Sequence, residues 1–507
     1  MLGTGLVVVA IGLLVLASSA SGGTPAAVGP ATGINEHAGD PRDITAHNSP
    51  ELVRNPVDPA NFVVASRIDL PRYSCALHAS FDGGATWEAA SIPFPAGEED
   101  PPRCYAPDVA FDSEGELYAV FTTLAGLGNT PNATWITSSH DGGRTLATPT
   151  KALGPLAFQS SLTSDPRRAG RLYLSWLQAT EVATLGFAGT GNPINIARSD
   201  DGGRTWLEPI RVSPPYRQRV VAPSFAVGSG GALLVTYLDL GDDRLDYAGA
   251  HLGTGGEPYG GTWSLVVARS DDGGGTWTET TVDSEIVPAQ RIVVFIPPMP
   301  SLAVDAERGL VYVAFADARS GDPDVLLWRS SDGGATFARG RRVNDTVAND
   351  GTSQYLATVA VAPTGRLDVA YYDRRNDRSD AMNSVSFQSS FDHGRNFKPS
   401  LRLTPRPFDS RVGFGSERGM ADLGSRLGLV STDDHALAVW TDTGAGTEVS
   451  GKQDLHRAVV AIAKSASSLR TPLRVASWAV VTMAALVLGA AHRKRLNRPG
   501  FGRGSVG

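Results

Sequence analysis

Ser270-Asp271-Asp272-Gly273-Gly274-Gly275-Thr276-Trp277 is one of six near-copies of an octapeptide spread along the chain. The other copies begin at Ser80, Ser139, Ser199, Ser330 and Ser390. Their aspartates are Asp82, Asp141, Asp201, Asp272, Asp332 and Asp392, so successive gaps are 59, 60, 71, 60 and 60 residues. A period this constant marks a chain built from repeated structural units.

Each position of the octapeptide suits a tight turn between two strands. The aspartate can accept hydrogen bonds from nearby backbone N–H groups, the glycine can take positive φ, and the serine and threonine hydroxyls can close further local bonds. Trp87, Trp206 and Trp277 are bulky enough to pin the turn against a neighbouring strand, with Leu146, Phe337 and Phe397 in the same slot elsewhere. The octapeptide therefore reads as a structural staple rather than a reactive centre.

Six copies in register, from about Ser80 to Phe397, resemble the Asp-box repeats of the sialidase superfamily. The resemblance implies a β-propeller and, as the activity best known for that family, removal of terminal sialic acids.

Around each box lies a longer unit. In one of them, Pro300–Asp305, Leu310–Phe315, Val325–Arg329 and Ala338–Val343 are four short β-like runs parted by turn residues, with the box between the third and the fourth. That is one propeller blade, its strands counted one to four outward from the axis. Second strands end in aromatic-x-polar: Phe121-x-Thr123, Trp176-x-Gln178, Tyr237-x-Asp239, Phe315-x-Asp317, Tyr371-x-Asp373 and Trp440-x-Asp442. Asn61 to Asp69 supplies a seventh. Seven second strands against six boxes predict an all-β propeller of seven blades, six being the alternative. The last blade, built from Arg426–Thr432, Ala436–Thr441 and Leu455–Ala463, would borrow its fourth strand from the N-terminal lead-in.

The 507 residues carry a net charge of −7, with 57 glycines, 33 prolines and 19% charged residues, a composition suited to an all-β body and not to nucleic acid as partner. Leu6 to Ala17 is an apolar run followed by Ser18-Ser19-Ala20, which reads as a signal peptide cleaved after Ala20, with an uncleaved anchor as the alternative because a basic start is missing. Val475 to Ala491 is uncharged and is followed by His492-Arg493-Lys494-Arg495, the pattern of one C-terminal transmembrane helix with a basic cytoplasmic tail. The expected order is signal peptide 1–20, lead-in linker 21–50, propeller 51–464, linker 465–474, transmembrane helix 475–491 and tail 492–507. The body then stands outside the cell on a single-pass anchor. In an exported protein Cys75 and Cys104 read as a disulfide rather than a metal site. Oligomeric state leaves no mark on the sequence.

Antiparallel strands put the boxes on one face and the aromatic-x-Asp ends on the other. Loop length is spent on that other face, in Leu238 to Thr262 and Thr180 to Pro193, so binding chemistry is expected there. It gathers Asp239, Asp317, Asp373 and Asp442, a partial ring of carboxylates that can meet sugar hydroxyls or hold a general acid. The competing reading is that each aspartate caps its strand end or pairs with an arginine such as Arg319, Arg374 or Arg375.

The family resemblance implies more. Sialidases clamp the substrate carboxylate with three arginines, use a tyrosine nucleophile assisted by a glutamate, and use an aspartate as acid/base. The first arginine lies in an Arg-Ile-Pro motif, to which Arg67-Ile68-Asp69 and Arg291-Ile292-Val293 come nearest without its proline. By position and residue type the candidates are Tyr371 or Tyr372 as nucleophile, Glu417 as its partner and Asp317 or Asp373 as acid. Substrate binding would fall to Arg319, Arg374, Arg375 and Arg418, with Asp239 and Asp442. The implied ligand is a carbohydrate or glycoconjugate. No zinc, serine-hydrolase or phosphate-loop motif is present, and no cofactor is expected. Asp345, Asn349 and Asp350 lack the spacing of a calcium loop and read as solvated. The alternative class is a non-catalytic propeller that binds glycans or proteins at the envelope.

Overall fold

The computed structural model describes residues 26–35, 44–95, 102–126, 129–181, 189–243, 259–289, 298–415, 423–447 and 449–463. Seven antiparallel sheets follow one another as the blades of a propeller. Blade one is His47–Arg54, Phe62–Ile68, Ser74–Ser80 and Glu88–Ala90. The first strands of blades two to six are Cys104–Phe111, Ala157–Ser164, Val220–Val227, Ser301–Asp305 and Gln354–Val361. Blade seven has Gly428–Ser431, His435–Asp442 and Asp454–Ile462 as its three inner strands.

Its fourth strand comes from the other end of the chain, since Ala26–Val28 and Thr32–Gly33 both join Asp454–Ile462. The expected seven blades and the closure by the lead-in are therefore both present. One boundary moves, since the first strand of blade one starts at His47, inside the span read as linker, while the closing strand lies within the lead-in at Ala26–Val28. Proline at position 50 disguises the strand, because it sits where the strand bulges and needs no ladder donor.

Second strands are buried except at their end residues, and Leu310–Asp317, with sequence LVYVAFAD, is buried throughout. Neighbouring blades cover both faces of each sheet, so these strands need no polar alternation. The interblade layers run continuously: Tyr173, Phe225, Tyr237, Val266, Val313 and Trp328 belong to one apolar cluster that spans three blades.

The boxes do what their residue types suggest. In blade five Ser330 Oγ donates to Asp332 Oδ1 at 2.7 Å, and Thr336 donates its N–H to Oδ1 at 2.9 Å and its hydroxyl to Oδ2 at 2.6 Å. The second glycine permits close approach to the preceding blade: a Cβ on Gly203 would stand 2.6 Å from Ile136 Cδ1. Trp87, Leu146, Trp206, Trp277, Phe337 and Phe397 all pack against core clusters.

Hydrogen bonding, chiefly from the Thr86 and Thr336 hydroxyls, holds Asp82 and Asp332 down at about 2. Because these folded values lie below the ordinary aspartate range, their stabilisation is present above about pH 4 and is lost as pH falls toward 2. The urea midpoint should accordingly drop between pH 4 and pH 2, and Asp→Asn changes at Asp82 and Asp332 should flatten that drop.

Cys75 and Cys104 are joined, with Cα atoms 5.8 Å apart, tying the third strand of blade one to the first strand of blade two. A bridge closing 29 residues of separation should be worth about 3–4 kcal/mol in the chain-entropy account. Reduction, or a Cys75→Ser/Cys104→Ser variant, should lower the urea midpoint by a matching amount.

Among the described residues no helix is long and apolar enough to cross a membrane. The spans read as signal peptide (1–20) and transmembrane helix (475–491) lie outside them.

Candidate active site at the axial mouth

The innermost strands share a defect. In blades one, two, three, four and six the register to the second strand shifts between Asn48 and Glu51, Tyr105 and Asp108, Phe158 and Ser161, Val221 and Ser224, and Tyr355 and Thr358. Each bulge holds a residue in the left-handed region: Ser49, Ala106, Gln159, Ala222 and Leu356, with φ of 52°, 49°, 50°, 58° and 50°. None is glycine, so each costs on the order of 1 kcal/mol, which the surrounding strands must offset.

Each bulge turns the residue two places on toward the axis. Glu51, Asp108, Ser161, Ser224 and Thr358, together with Ser301 of blade five and Arg426 of blade seven, line a cavity of about 260 Å³. A narrower space beside it, toward the face opposite the boxes, is lined by Ser49, Arg67, Tyr105, Gln159, Ser160, Ser425 and again Arg426.

The charged groups of the cavity are coupled. Arg426 Nε lies 3.0 Å from Glu51 Oε2, and its Nη2 donates to the Pro107 carbonyl at 2.6 Å. Asp108 accepts the Val109 N–H at 2.8 Å on Oδ1 and the Leu162 N–H of blade three at 3.0 Å on Oδ2. The Glu51 side chain is 32% exposed where it lines the cavity. Burial, opposed by Arg426 and reinforced by the Asp108 charge, pushes Glu51 up to about 8. Burial also raises Asp108, against the pull of Arg426 and the two N–H groups. Above the cavity, Arg67 is held by Asp69 at 2.7 and 2.8 Å, and its guanidinium carbon lies 5.4 Å from the centre of the Tyr105 ring.

Those of the residues expected from the sequence that are described stand elsewhere, and among them none lines the axial cavity. Asp317 accepts Arg319 Nε at 2.7 Å, and the same guanidinium reaches Asp283 at 2.9 Å. Asp373 holds Arg375, which also bonds Asp345 at 2.6 Å. Asp239 pairs with Arg217 at 2.7 Å, and Asp442 accepts the Gly444 N–H at 2.6 Å. The ring of carboxylates is thus made of strand-end aspartates, three of them in arginine pairs and the fourth closing its own turn.

Nor does either tyrosine face the mouth. Tyr371 and Tyr372 are both 0% exposed: the first donates to Gln388 at 2.7 Å, the second to the Thr441 carbonyl at 2.9 Å. Burial drives both hydroxyls well above the ordinary tyrosine range, away from the phenolate a nucleophile approaches. A tyrosine–glutamate pair does exist at Tyr237 and Glu279, 2.7 Å apart, but its arginine partner is Arg217 and it too stands off the axial cavity. Arg374 is enclosed in blade six. Glu417, Arg418 and Arg291 lie outside the described residues, as do the centres of the two long loops. Asp345 is tied to Arg375, and Asp350 accepts both the N–H and the hydroxyl of Thr352.

A wider cavity of about 750 Å³ lies on the box face, lined by Asp112, Glu116, Tyr118, His140 and Arg204 among others. Asp112 there accepts the N–H groups of Glu114, Glu116 and Gly170, so it serves the turn that carries it.

Sequence reasoning missed Glu51, Asp108 and Arg426. One signal was available, because proline precedes the axial residue in four first strands: Pro50-Glu51, Pro107-Asp108, Pro223-Ser224 and Pro300-Ser301.

No family model matches the chain. A xyloglucanase from a Paenibacillus species is 27% identical over 314 residues, 57% of this chain and 26% of that protein. The chain spans about a quarter of the length of the curated relatives it matches. Among solved structures, a Dyadobacter fermentans protein of unknown function aligns with TM-score 0.47 and 12% identity, covering 86% of this chain and 99% of the other. A Hadza microbial sialidase aligns with TM-score 0.43 and 16% identity, covering 84% and 68%. The seven blades and six boxes are consistent with the sialidase-like superfamily that the sequence resembles.

Proposed function

We propose that this chain is an envelope-tethered glycoside hydrolase that receives its sugar at the axial mouth opposite the Asp-boxes. The observation that carries the proposal is the axial cavity itself, where two carboxyls, one arginine and a ring of hydroxyls converge at the centre of a rigid scaffold. Such a set of planar and hydroxylic groups matches the donors and acceptors of a sugar ring. The similarity to a xyloglucanase points to the same class of chemistry. In this reading residues 1–20 export the chain and 475–491 hold it in the membrane, with the propeller on the extracytoplasmic side.

The family resemblance would make the sugar sialic acid or a related acidic one. Arg67 and Arg426 are the axial guanidiniums that would meet its carboxylate, yet Arg67 is held by Asp69, and Arg426 by the Glu51 side chain and the Pro107 carbonyl. An acidic sugar must displace or share those partners and a neutral sugar need not, so the geometry favours a neutral terminal sugar. A second reading, a non-catalytic glycan-binding propeller, draws its support from the enclosure of Tyr371 and Tyr372.

The test uses the full-length chain in detergent against 4-methylumbelliferyl glycosides: a sialoside, an α-L-arabinofuranoside, a β-xyloside and a β-glucoside. Release from a neutral glycoside supports the proposal. Release from the sialoside alone restores the acidic-sugar reading, and saturable binding of these sugars without any release leaves the binding propeller.

A further inference from the structure

We propose that the axial cavity takes a single terminal sugar ring and cleaves it by acid–base catalysis, with Glu51 protonating the departing glycosidic oxygen and Asp108 receiving a proton from the attacking water. This inference rests on the glycosidase reading above and deepens it by naming the acid, the base and the mode of attack on the glycan.

The case for one ring is geometric. The wall of the cavity is supplied by every blade in turn: Glu51, Asp108, Ser161, Ser224, Ser301, Thr358 and Arg426 come from blades one to seven. Walled by all seven blades, the cavity is an axial space and not a groove across one face, so a glycan would enter it by its end. The volume of about 260 Å³ lies below the usual 300–1,000 Å³ range of small-molecule sites and holds one furanose or pyranose, not an oligosaccharide. Hydroxyls are placed to read it. Ser301 Oγ accepts the Val359 N–H at 3.0 Å, which leaves its hydroxyl hydrogen available to a ligand.

The division of roles follows from the partners of the two carboxyls. Both stand near Arg426, and one guanidinium cannot offset two buried negative charges, so the pair retains a proton at neutral pH. Asp108 has two backbone N–H groups aimed at its oxygens, at 2.8 and 3.0 Å, and these favour its ionised form. Glu51 has no such bonds, and burial pushes it up to about 8 against the pull of Arg426, so the proton resides there. Two buried carboxyls that share one proton, with backbone donors placing the charge on Asp108, fit the pattern of an acid–base pair.

The step balances as a hydrolysis. The glycosidic C1–O bond breaks as Glu51 gives its proton to the leaving oxygen, and water oxygen bonds to C1. The proton of that water passes to Asp108 and then returns through solvent to Glu51. Arg426, fixed by the Pro107 carbonyl at 2.6 Å and 3.0 Å from Glu51, acts as a positioning residue whose charge favours the ionised form of Asp108.

The experiment uses the full-length chain and the sugar that the parent cleaves, joined to a poor leaving group (methyl) and to a good one (2,4-dinitrophenyl). Glu51→Gln should lower kcat on the methyl glycoside by about 10³-fold, and by less than about tenfold on the dinitrophenyl glycoside, which needs no proton. The basic limb of the parent's pH profile near 8 should vanish in this variant. With an end-labelled oligosaccharide the parent should release one sugar at a time from the end. If Glu51→Gln does not fold, Glu51→Asp replaces it and should keep the basic limb with a lower kcat. Equal activity of parent and variant on the methyl glycoside overturns the inference while leaving the glycosidase reading in place, as do equal losses on both substrates or internal cuts. A parent that cleaves none of the glycosides overturns the reading and the inference with it.

Discussion

Replacing Ile34 with aspartate is expected to lower the stability of the propeller by about 4 kcal/mol or more, most of what a typical domain has to lose. Ile34 is 6% exposed and packs with Leu52, Phe62 and Val64 of blade one and with Leu437, Val439 and Leu455 of blade seven. It is therefore the apolar plug of the seam where the two ends of the ring meet. Its N–H donates to the Leu455 carbonyl at 2.8 Å. Asn35 continues the seam, accepting the Leu455 N–H at 2.6 Å and donating to Asp454 at 3.0 Å. A charge at position 34 must either stay unpaired among six apolar side chains or pull the strand away. The second outcome leaves Asp454–Ile462 as an open sheet edge, a template for association. The checks are the urea midpoint and the rate of proteolysis within residues 26–35. A conservative Ile34→Val change, which keeps the shape, should cost only about 1 kcal/mol. An aspartate variant with the parent's midpoint would mean that the ring closes without this strand.

Closure of this kind was legible because it follows from counting: six aromatic-x-polar ends with a seventh second strand, six boxes, and one blade short of a strand. The faces were legible too, since antiparallel strands force Asp272 and Asp317 to opposite ends of their blades. The site was not. Arg319 and Arg375 stand two residues after Asp317 and Asp373, a spacing at which a turn folds the guanidinium back onto the carboxylate. Residue type on the right face left both readings open, and the reading in which these aspartates pair with neighbouring arginines holds at Asp317 and Asp373. The groups that do converge, Glu51, Asp108 and Arg426, lie far apart in the chain, and the first two are turned inward by bulges at Ser49 and Ala106. Bulges leave little trace in hydrophobic periodicity, because they break it, and only the recurring proline before the axial residue gave them away. Tyr371 and Tyr372 misled for a related reason: neighbours on a strand point to opposite faces, but a blade is covered on both, so neither orientation reaches the mouth.

Arg374 separates a substrate clamp from a structural bolt most sharply. Its side chain is 2% exposed, and its donors are all engaged within blade six: Nε to Asn383 at 2.9 Å, Nη1 to the Asp380 carbonyl at 2.6 Å, and Nη2 to the Tyr355 hydroxyl at 3.1 Å and to Ser410 at 3.0 Å. The guanidinium carbon also lies 4.9 Å from the centre of the Tyr355 ring. Arg374→Ala leaves those acceptors buried without a donor, so a loss of about 3–5 kcal/mol is expected. Arg374→Lys should fare little better, since one ammonium cannot reproduce a planar fork that reaches four partners. Asp380 would be left half tied, because it also accepts the N–H and hydroxyl of Ser353, and the turn from Asp377 to Asp380 should loosen first. A clamp predicts the reverse pattern, a raised KM with the urea midpoint unchanged. Measuring both quantities on Arg374→Lys decides between them, and a lowered midpoint with an unchanged KM in the surviving folded fraction assigns Arg374 to the scaffold.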